Sequence, residues 1–535
     1  MRLSRRSLLT GLTSAALLGR APRLGASEAC ATLLPAAISN APVTFTPSSV
    51  APLAAALSGR PRRPSLAPTH LGEGLEQYLQ TQRRLARGEI TVPPRLAGTR
   101  PQVEAAPRLR PLAFVPIIAS GAAYDASFAV GRDHVMVAVN FTCAIYAKSG
   151  GAPVVPPRAL REWFPNTPVP ATTTGMVFDP RVLYDVRAER WILVALAWNK
   201  RTHEPPPDST LLLSVSASAD PTGLWWSWVL DAGTTAGTYA DYPMLAVNDG
   251  AVCISWNVYR QPLPARVRVI PKAALYAGGK IPFRDFVDVR TPGAGPRALA
   301  VQPCQSLGPA SRMHLVNTLG AAHDSLTLWT MEWRADTPAL TCENVKIDSY
   351  LRPEWAPQRD GAKLLATGDT RIRSAVVSGE TVLFAFTSRY RSGGRGSFNA
   401  ARWYRVATTP ARVIDRDELA EDGSFHGYPA VTADAGGGVH MIAGRTSARE
   451  FPSLVSGAWP REGIASRALL AAGTGPHLAC RGDKVCTPDE TTENGWGDYN
   501  GISTDPVDHT TVWLCGATSI KDAPKTWTTW IGAVR

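Results

Sequence analysis

Asp241-Tyr-Pro-Met-Leu-Ala-Val-Asn248, followed by Asp249-Gly250 and the apolar run Ala251-Val-Cys-Ile-Ser-Trp256, sets the pattern for most of the chain. It reads as a short strand, a tight turn and a second strand, because apolar runs of this length bounded by Asp-Gly are hairpin signals. The same words return at Gly427-Tyr-Pro-Ala-Val-Thr-Ala-Asp434, before Val439-His-Met-Ile442, and at Asp498-Tyr-Asn-Gly-Ile-Ser-Thr-Asp505, before Thr511-Val-Trp-Leu514. Weaker copies start at Asp125, Asp179 and Asp369, and one near Gln302 lacks the leading Asp. The starts 125, 179, 241, 302, 369, 427 and 498 are 54 to 71 residues apart, room for four short strands each. A small sheet repeated in this way cannot bury both of its faces alone, which predicts radial stacking. The expected fold is an all-β β-propeller of seven four-stranded blades, with six or eight as the alternatives.

Around this core the chain divides into three. Residues 1–29 carry Arg5-Arg6, Leu8-Leu9 and a modest apolar stretch broken by Arg20, ending in small residues near Ala26. That is the pattern of a twin-arginine leader, and too short a run to span a bilayer. It predicts export to the periplasm or medium with no membrane span. Residues 30–112 are an Ala-, Pro- and Arg-rich arm with one helix expected near Leu75–Arg87, whose stripe of Leu75, Tyr78, Leu79 and Leu85 should pack on the body. Residues 113–535 form the expected propeller.

The formal charge of +12 is misplaced for a nucleic-acid binder. Residues 1–112 hold 15 Arg and 5 Glu, whereas the remaining residues hold 41 basic and 39 acidic side chains, a balance of only +2. Nucleic-acid recognition needs the excess on the folded domain. A monomer is expected. Among eight Cys, no C-x-x-C pair supports zinc or iron–sulfur binding. Cys480 and Cys486 are the candidate disulfide, and Cys in strand-like runs are read as buried thiols. The 16 Trp, all between Trp163 and Trp530, are read first as packing between blades and only second as sugar-stacking surfaces.

Ser218-Ala-Asp220-Pro-Thr-Gly223-Leu-Trp225 resembles the Asp box of sialidase-like (BNR-repeat) propellers, with partial matches at Ser503-Thr-Asp505 and Thr432-Ala-Asp434. Phe178–Trp191, Ser216–Gly223 and Trp496-Gly-Asp-Tyr499 also resemble exported bacterial propeller proteins without a settled activity. The resemblance implies the fold. It does not carry catalysis over, because the early Phe/Tyr-Arg-Ile-Pro motif of catalytic sialidases is absent and their arginine triad cannot be matched residue by residue.

If each unit begins with its innermost strand, the leading residues gather at one mouth of the channel. The candidate ligand-binding set is therefore Asp125, Asp179, Arg181, Asp241, Tyr242, Asp369, Arg371, His426, Tyr428, Asp498 and Tyr499. Asp179, Asp241 and Asp498 are the candidate oxygen ligands for Ca²⁺. A close carboxyl pair would instead split its pKa values for acid–base work, and the plainest alternative is that each Asp caps its strand. Two functions follow: a non-catalytic module binding a glycan, peptide or other cell-envelope ligand, or a glycan-active hydrolase or lyase using the Asp, Tyr and Arg residues.

Overall fold

The computed structural model describes residues 30–47, 69–105, 113–120, 123–168, 176–199, 208–235, 238–259, 265–318, 322–334, 337–361, 363–393, 396–479 and 494–535. The leader and the Cys480/Cys486 pair lie outside them. The described chain is nearly all β and built from antiparallel meanders. Seven strands lead successive meanders: β1 (Ser127–Val130), β2 (Met176–Asp185), β3 (Tyr239–Val247), β4 (Gln302–Pro303), β5 (Ser374–Ser378), β6 (Phe425–Ala433) and β7 (Gly501–Thr504). Each packs beside the next, and β7 returns to β1, so the leading strands close a ring round a central channel. This is the arrangement of a β-propeller.

Neighbouring leading strands are joined mainly by side chains, although Gln305–Ser306, just after β4, pairs parallel with Val376–Val377 of β5. Val182 N donates to Ser127 Oγ at 2.8 Å, Val247 N to Gln305 Oε1 at 2.9 Å, and Thr504 Oγ1 to Ala433 O at 2.8 Å. Backbone groups facing the channel wall are thereby satisfied. At the closure β7 begins with Gly501, where a Cβ would lie 2.2 Å from Phe128 Cβ of β1. Only glycine allows that approach.

The last meander has three strands of its own after residue 500, and its fourth comes from the front of the chain. Ile118–Ser120 pairs antiparallel with Thr526–Thr528, immediately before β1 begins its own sheet. The ring is thus latched by joining its two ends in one sheet, which also covers a sheet edge.

The arm lies along the rim. Thr32–Leu33 and Ala37–Ile38 pair with Pro282–Val287, Val43–Phe45 with Trp225–Ser227, and Gln102–Glu104 runs parallel to Ala465–Arg467. A disulfide joins Cys30 to Cys342, across 312 residues of sequence. The expected helix spans Thr69–Ala86, and Tyr78 stacks on Trp355 with ring centroids 4.6 Å apart. Arg95 reaches the buried Arg402–Glu418 pair, donating to Glu418 Oε1 at 3.1 Å.

Between sheets the core is aromatic. Ten Trp, including Trp191, Trp225, Trp403 and Trp513, are less than 2% exposed, and none of the 16 is an exposed residue. Trp198, Trp226, Trp333 and Trp530 are half-buried, and the other twelve are buried. Cys143, Cys253, Cys304 and Cys515 are buried free thiols.

The Asp-box-like turns occupy different places in their sheets. Asp220 lies between the third and fourth strands of its sheet, accepts Thr222 N at 2.9 Å, and Trp225 below it donates to Pro221 O. Asp434 and Asp505 instead close the turns after β6 and β7. They share the Asx-turn chemistry, not one repeated position.

Candidate functional site

The leading strands all run in the same sense, so their N-terminal ends share one mouth. Five of them carry a non-glycine residue at positive φ there: Asp125 (43°), Asp179 (52°), Tyr242 (55°), Ala300 (53°) and Tyr428 (55°). On β2, β3 and β6 a register shift follows at once. Each such residue costs about 1–3 kcal/mol and persists only where its surroundings over-determine it.

This geometry corrects the phase of the repeat. Asp125 and Asp179 occupy the position of Tyr242 and Tyr428, not that of Asp241. Asp241 falls one residue earlier, level with Phe178 and Gly427. Tyr499 has ordinary φ, so it does not share the conformation of the other two tyrosines.

Most of the mouth is occupied with holding itself together. Asp125 accepts Asp498 N at 2.6 Å and the Asn140 amide, while Asn140 Oδ1 accepts Asp179 N at 2.9 Å. Tyr499 Oη donates to Pro180 O at 2.9 Å and Tyr428 Oη to Ala366 O at 2.7 Å. Asp369 accepts Arg371 N and Arg371 Nε at 2.9 and 2.7 Å, and Arg373 Nη2 at 3.2 Å. Arg373, with no exposed side chain, also donates to Asp498 O at 2.7 Å and crosses the mouth.

The arginines lie on the aromatic faces. Arg181 sits 3.4 Å from the Tyr499 ring centroid and Arg371 4.5 Å from that of Tyr242. Such contacts contribute roughly 0.5–2 kcal/mol each. Arg181 Nε donates to Pro243 O at 2.8 Å, but its Nη2 and the buried Tyr242 hydroxyl have no hydrogen-bond partner.

Two aspartates of the mouth are driven in opposite directions. Burial pushes the Asp179 carboxyl well above the ordinary range, like charge on Asp241 and Asp498 adds to this, and Arg181 and the Tyr242 N–H only partly oppose it. Desolvation also acts on half-buried Asp369, yet Arg371, Arg373 and Arg352 hold its carboxyl far below that range. Burial raises the phenols of Tyr242 and Tyr499, so neither is an ionised nucleophile at neutral pH.

Two expectations fail on this geometry. Among the described residues no group of three or more His, Cys, Asp or Glu side chains is placed to hold a metal ion. Asp179, Asp241 and Asp498 interact as charges, but Asp179 is buried and bound to a backbone N–H, so they do not form the expected Ca²⁺ cradle. His426 does not join the mouth either. It is buried against Asn399 O at 3.2 Å, Arg445, Arg467 and Arg95 are the charges that act on it, and burial depresses its pKa to about 3.

Residues missed from sequence include Arg373, Asn140 and Tyr259, a half-buried tyrosine on which the charges of Arg371, Asp241 and Asp369 act. Arg373 follows Arg371 by two, the spacing that puts residues on one strand face, and that signal was available. Asn140 lies in the turn after a second strand and Tyr259 ends one, and nothing in the repeated words marks them.

No family model and no curated protein matches this chain. Among solved structures it is similar to the Dos1 propeller, at 10% identity over 80% of this chain and 95% of that one, with a TM-score of 0.37. It is also similar to the structure of NanB plus Optactamide (9% identity, 66% and 67% covered, TM-score 0.35). A third is an exo-β-1,3-galactanase from Phanerochaete chrysosporium (11% identity, 62% and 80% covered, TM-score 0.29). Similarities of this size assign no substrate.

Proposed function

We propose that the protein is an exported, monomeric, seven-bladed β-propeller that binds a glycan or other hydroxyl-rich envelope ligand at the aspartate mouth without turning it over. The observation that carries this reading is the division of labour at the mouth. Asp125, Asp179, Tyr428 and Tyr499 are buried and bound to backbone, whereas Asp241, Asp498 and the Asp369–Arg371 pair remain partly exposed. An outer layer of carboxylates and a guanidinium offers acceptors and donors to sugar hydroxyls, on a floor that cannot rearrange cheaply.

One observation favours a hydrolase as the second reading. A raised carboxyl beside two other carboxylates is how an acid and a base are set apart in glycosidases. Against it, Asp179 is only 8% exposed, which leaves a glycosidic oxygen little access.

The test is retention of the purified protein on immobilised acidic and neutral glycans. Retention on at least one glycan, lost in folded Asp241→Asn and Asp498→Asn variants, is expected. Retention that both variants keep would place binding elsewhere. Export is tested separately: Arg5→Lys with Arg6→Lys should leave the precursor in the cytoplasm, and unchanged export would remove the twin-arginine assignment.

A further inference from the structure

The channel behind the aspartate mouth encloses a cavity of about 710 Å³, within the range of small-molecule sites. It runs from Arg181 to Val186 along β2, five residues of extended chain or about 16 Å. It reaches the turns after the leading strands, so it belongs to the opposite mouth. Of the aspartates discussed above only Asp434 lines it, and Asp434 is already taken by His440 Nε2 at 2.8 Å and by Gly438 N.

Its cations are less well matched. Arg373 is paired with Asp369, but Arg181, Arg405 and Arg461 also line the cavity and form no ion pair among the described residues. Arg405 and Arg461 converge on the turn after β6. Arg405 Nη2 donates to Gly437 O at 2.7 Å, and Arg461 Nε lies 2.6 Å from where a Cβ on Gly437 would stand. Gly437 has φ of +77°, so glycine meets both demands there. Arg405 is mostly buried, and Arg461 stands exposed at the rim.

Two guanidinium groups brought together repel each other, and the carboxylates nearest to them, Asp415 and Asp434, are engaged by Arg100 and His440, so a positive field faces the cleft behind them. Polar side chains of Gln302, Ser306, Ser374, Thr432 and Thr504 line the wall between rim and floor, interleaved with apolar ones such as Leu183, Leu245, Val376 and Ile502. Gln302 Oε1 and Ser306 Oγ are buried without a hydrogen-bond partner. We propose that the channel is a second binding site, entered from the mouth opposite the aspartates, for a carboxylate-bearing, hydroxyl-rich molecule of the uronate-oligosaccharide class. Arg405 and Arg461 bind its carboxylate, and the hydroxyl- and amide-lined wall meets its hydroxyl groups. This site stands independently of ligand binding at the aspartate mouth.

Titration calorimetry of the purified protein with tri-galacturonate, neutral maltotriose and inorganic phosphate tests it. Tri-galacturonate should bind, with affinity falling as salt rises, and maltotriose and phosphate should bind about tenfold more weakly or less. Arg461→Gln should cost about tenfold, and Arg461→Glu more. Arg461 is exposed, so both variants should fold as the parent does; Arg405→Gln, checked by circular dichroism, is the buried counterpart. No binding of tri-galacturonate at about millimolar concentration would overturn the proposal. So would phosphate or maltotriose binding equally well, or Arg461→Glu binding as tightly as the parent.

Discussion

The two ends of the channel contain the same residue types and use them differently. At the aspartate end, Arg371 and Arg373 share Asp369, Arg181 lies on Tyr499, and two tyrosine hydroxyls are bound to carbonyls. At the opposite end Arg405 and Arg461 meet over one glycine, and the nearby carboxylates, Asp415 and Asp434, are engaged by Arg100 and His440. Arginine at the first end stabilises the ring, and at the second it is left for something the chain does not supply. A cluster of charges is therefore informative only once its internal pairings have been subtracted.

The largest way to break this contrast is Asp369→Ala, which leaves fully buried Arg373 without its carboxylate. A loss of about 3 kcal/mol in urea unfolding is expected. Arg461→Gln should change stability by no more than about 0.5 kcal/mol. A small effect of Asp369→Ala would mean the aspartate end is as unpaired as the other.

The contrast also predicts opposite pH dependences. Asp369 has a lowered folded pKa, so its stabilisation is present above the unfolded value of about 3.9 and is lost as pH falls toward the folded one. Asp179 has a raised folded pKa, so its contribution is present below about 3.9 and is lost as pH rises through the folded value. Asp179→Asn can still accept the Tyr242 N–H, and should therefore be more stable than the parent at pH 7, with the advantage gone in acid. Denaturant midpoints across pH decide this, and a variant less stable at pH 7 would contradict it.

Smaller effects separate the tyrosines. Tyr499→Phe removes a buried hydrogen bond to Pro180 O and should cost about 1 kcal/mol. Tyr242→Phe removes a hydroxyl with no partner, and should be within about 0.5 kcal/mol of the parent or slightly more stable. Equal losses would show that the Tyr242 hydroxyl has a partner in solution.

The ring was legible because its leading strands carry repeated words, and all seven starts fall within or a few residues before a leading strand. Its phase was readable too. Pro180, Pro243 and Pro429 follow the positive-φ residues Asp179, Tyr242 and Tyr428, and aligning on proline rather than on Asp places those three together. What no local pattern carries is pairing over long separations. The latch of Ile118–Ser120 on Thr526–Thr528, the Cys30–Cys342 disulfide and the burial of Asp179 all depend on which distant segments meet. His426 shows the same limit: one residue before Gly427 in sequence, it is buried against Asn399 O, a contact with a distant segment.

The central claim is that the aspartate mouth holds a ligand and does not transform it. Incubating the purified protein with a panel of acidic and neutral glycans, and following masses in the bound and free fractions, tests it directly. The account predicts at least one retained glycan whose mass is unchanged, with retention lost in Asp498→Asn. A new, shorter product that disappears in folded Asp241→Asn or Asp498→Asn would contradict it and make the mouth an active site.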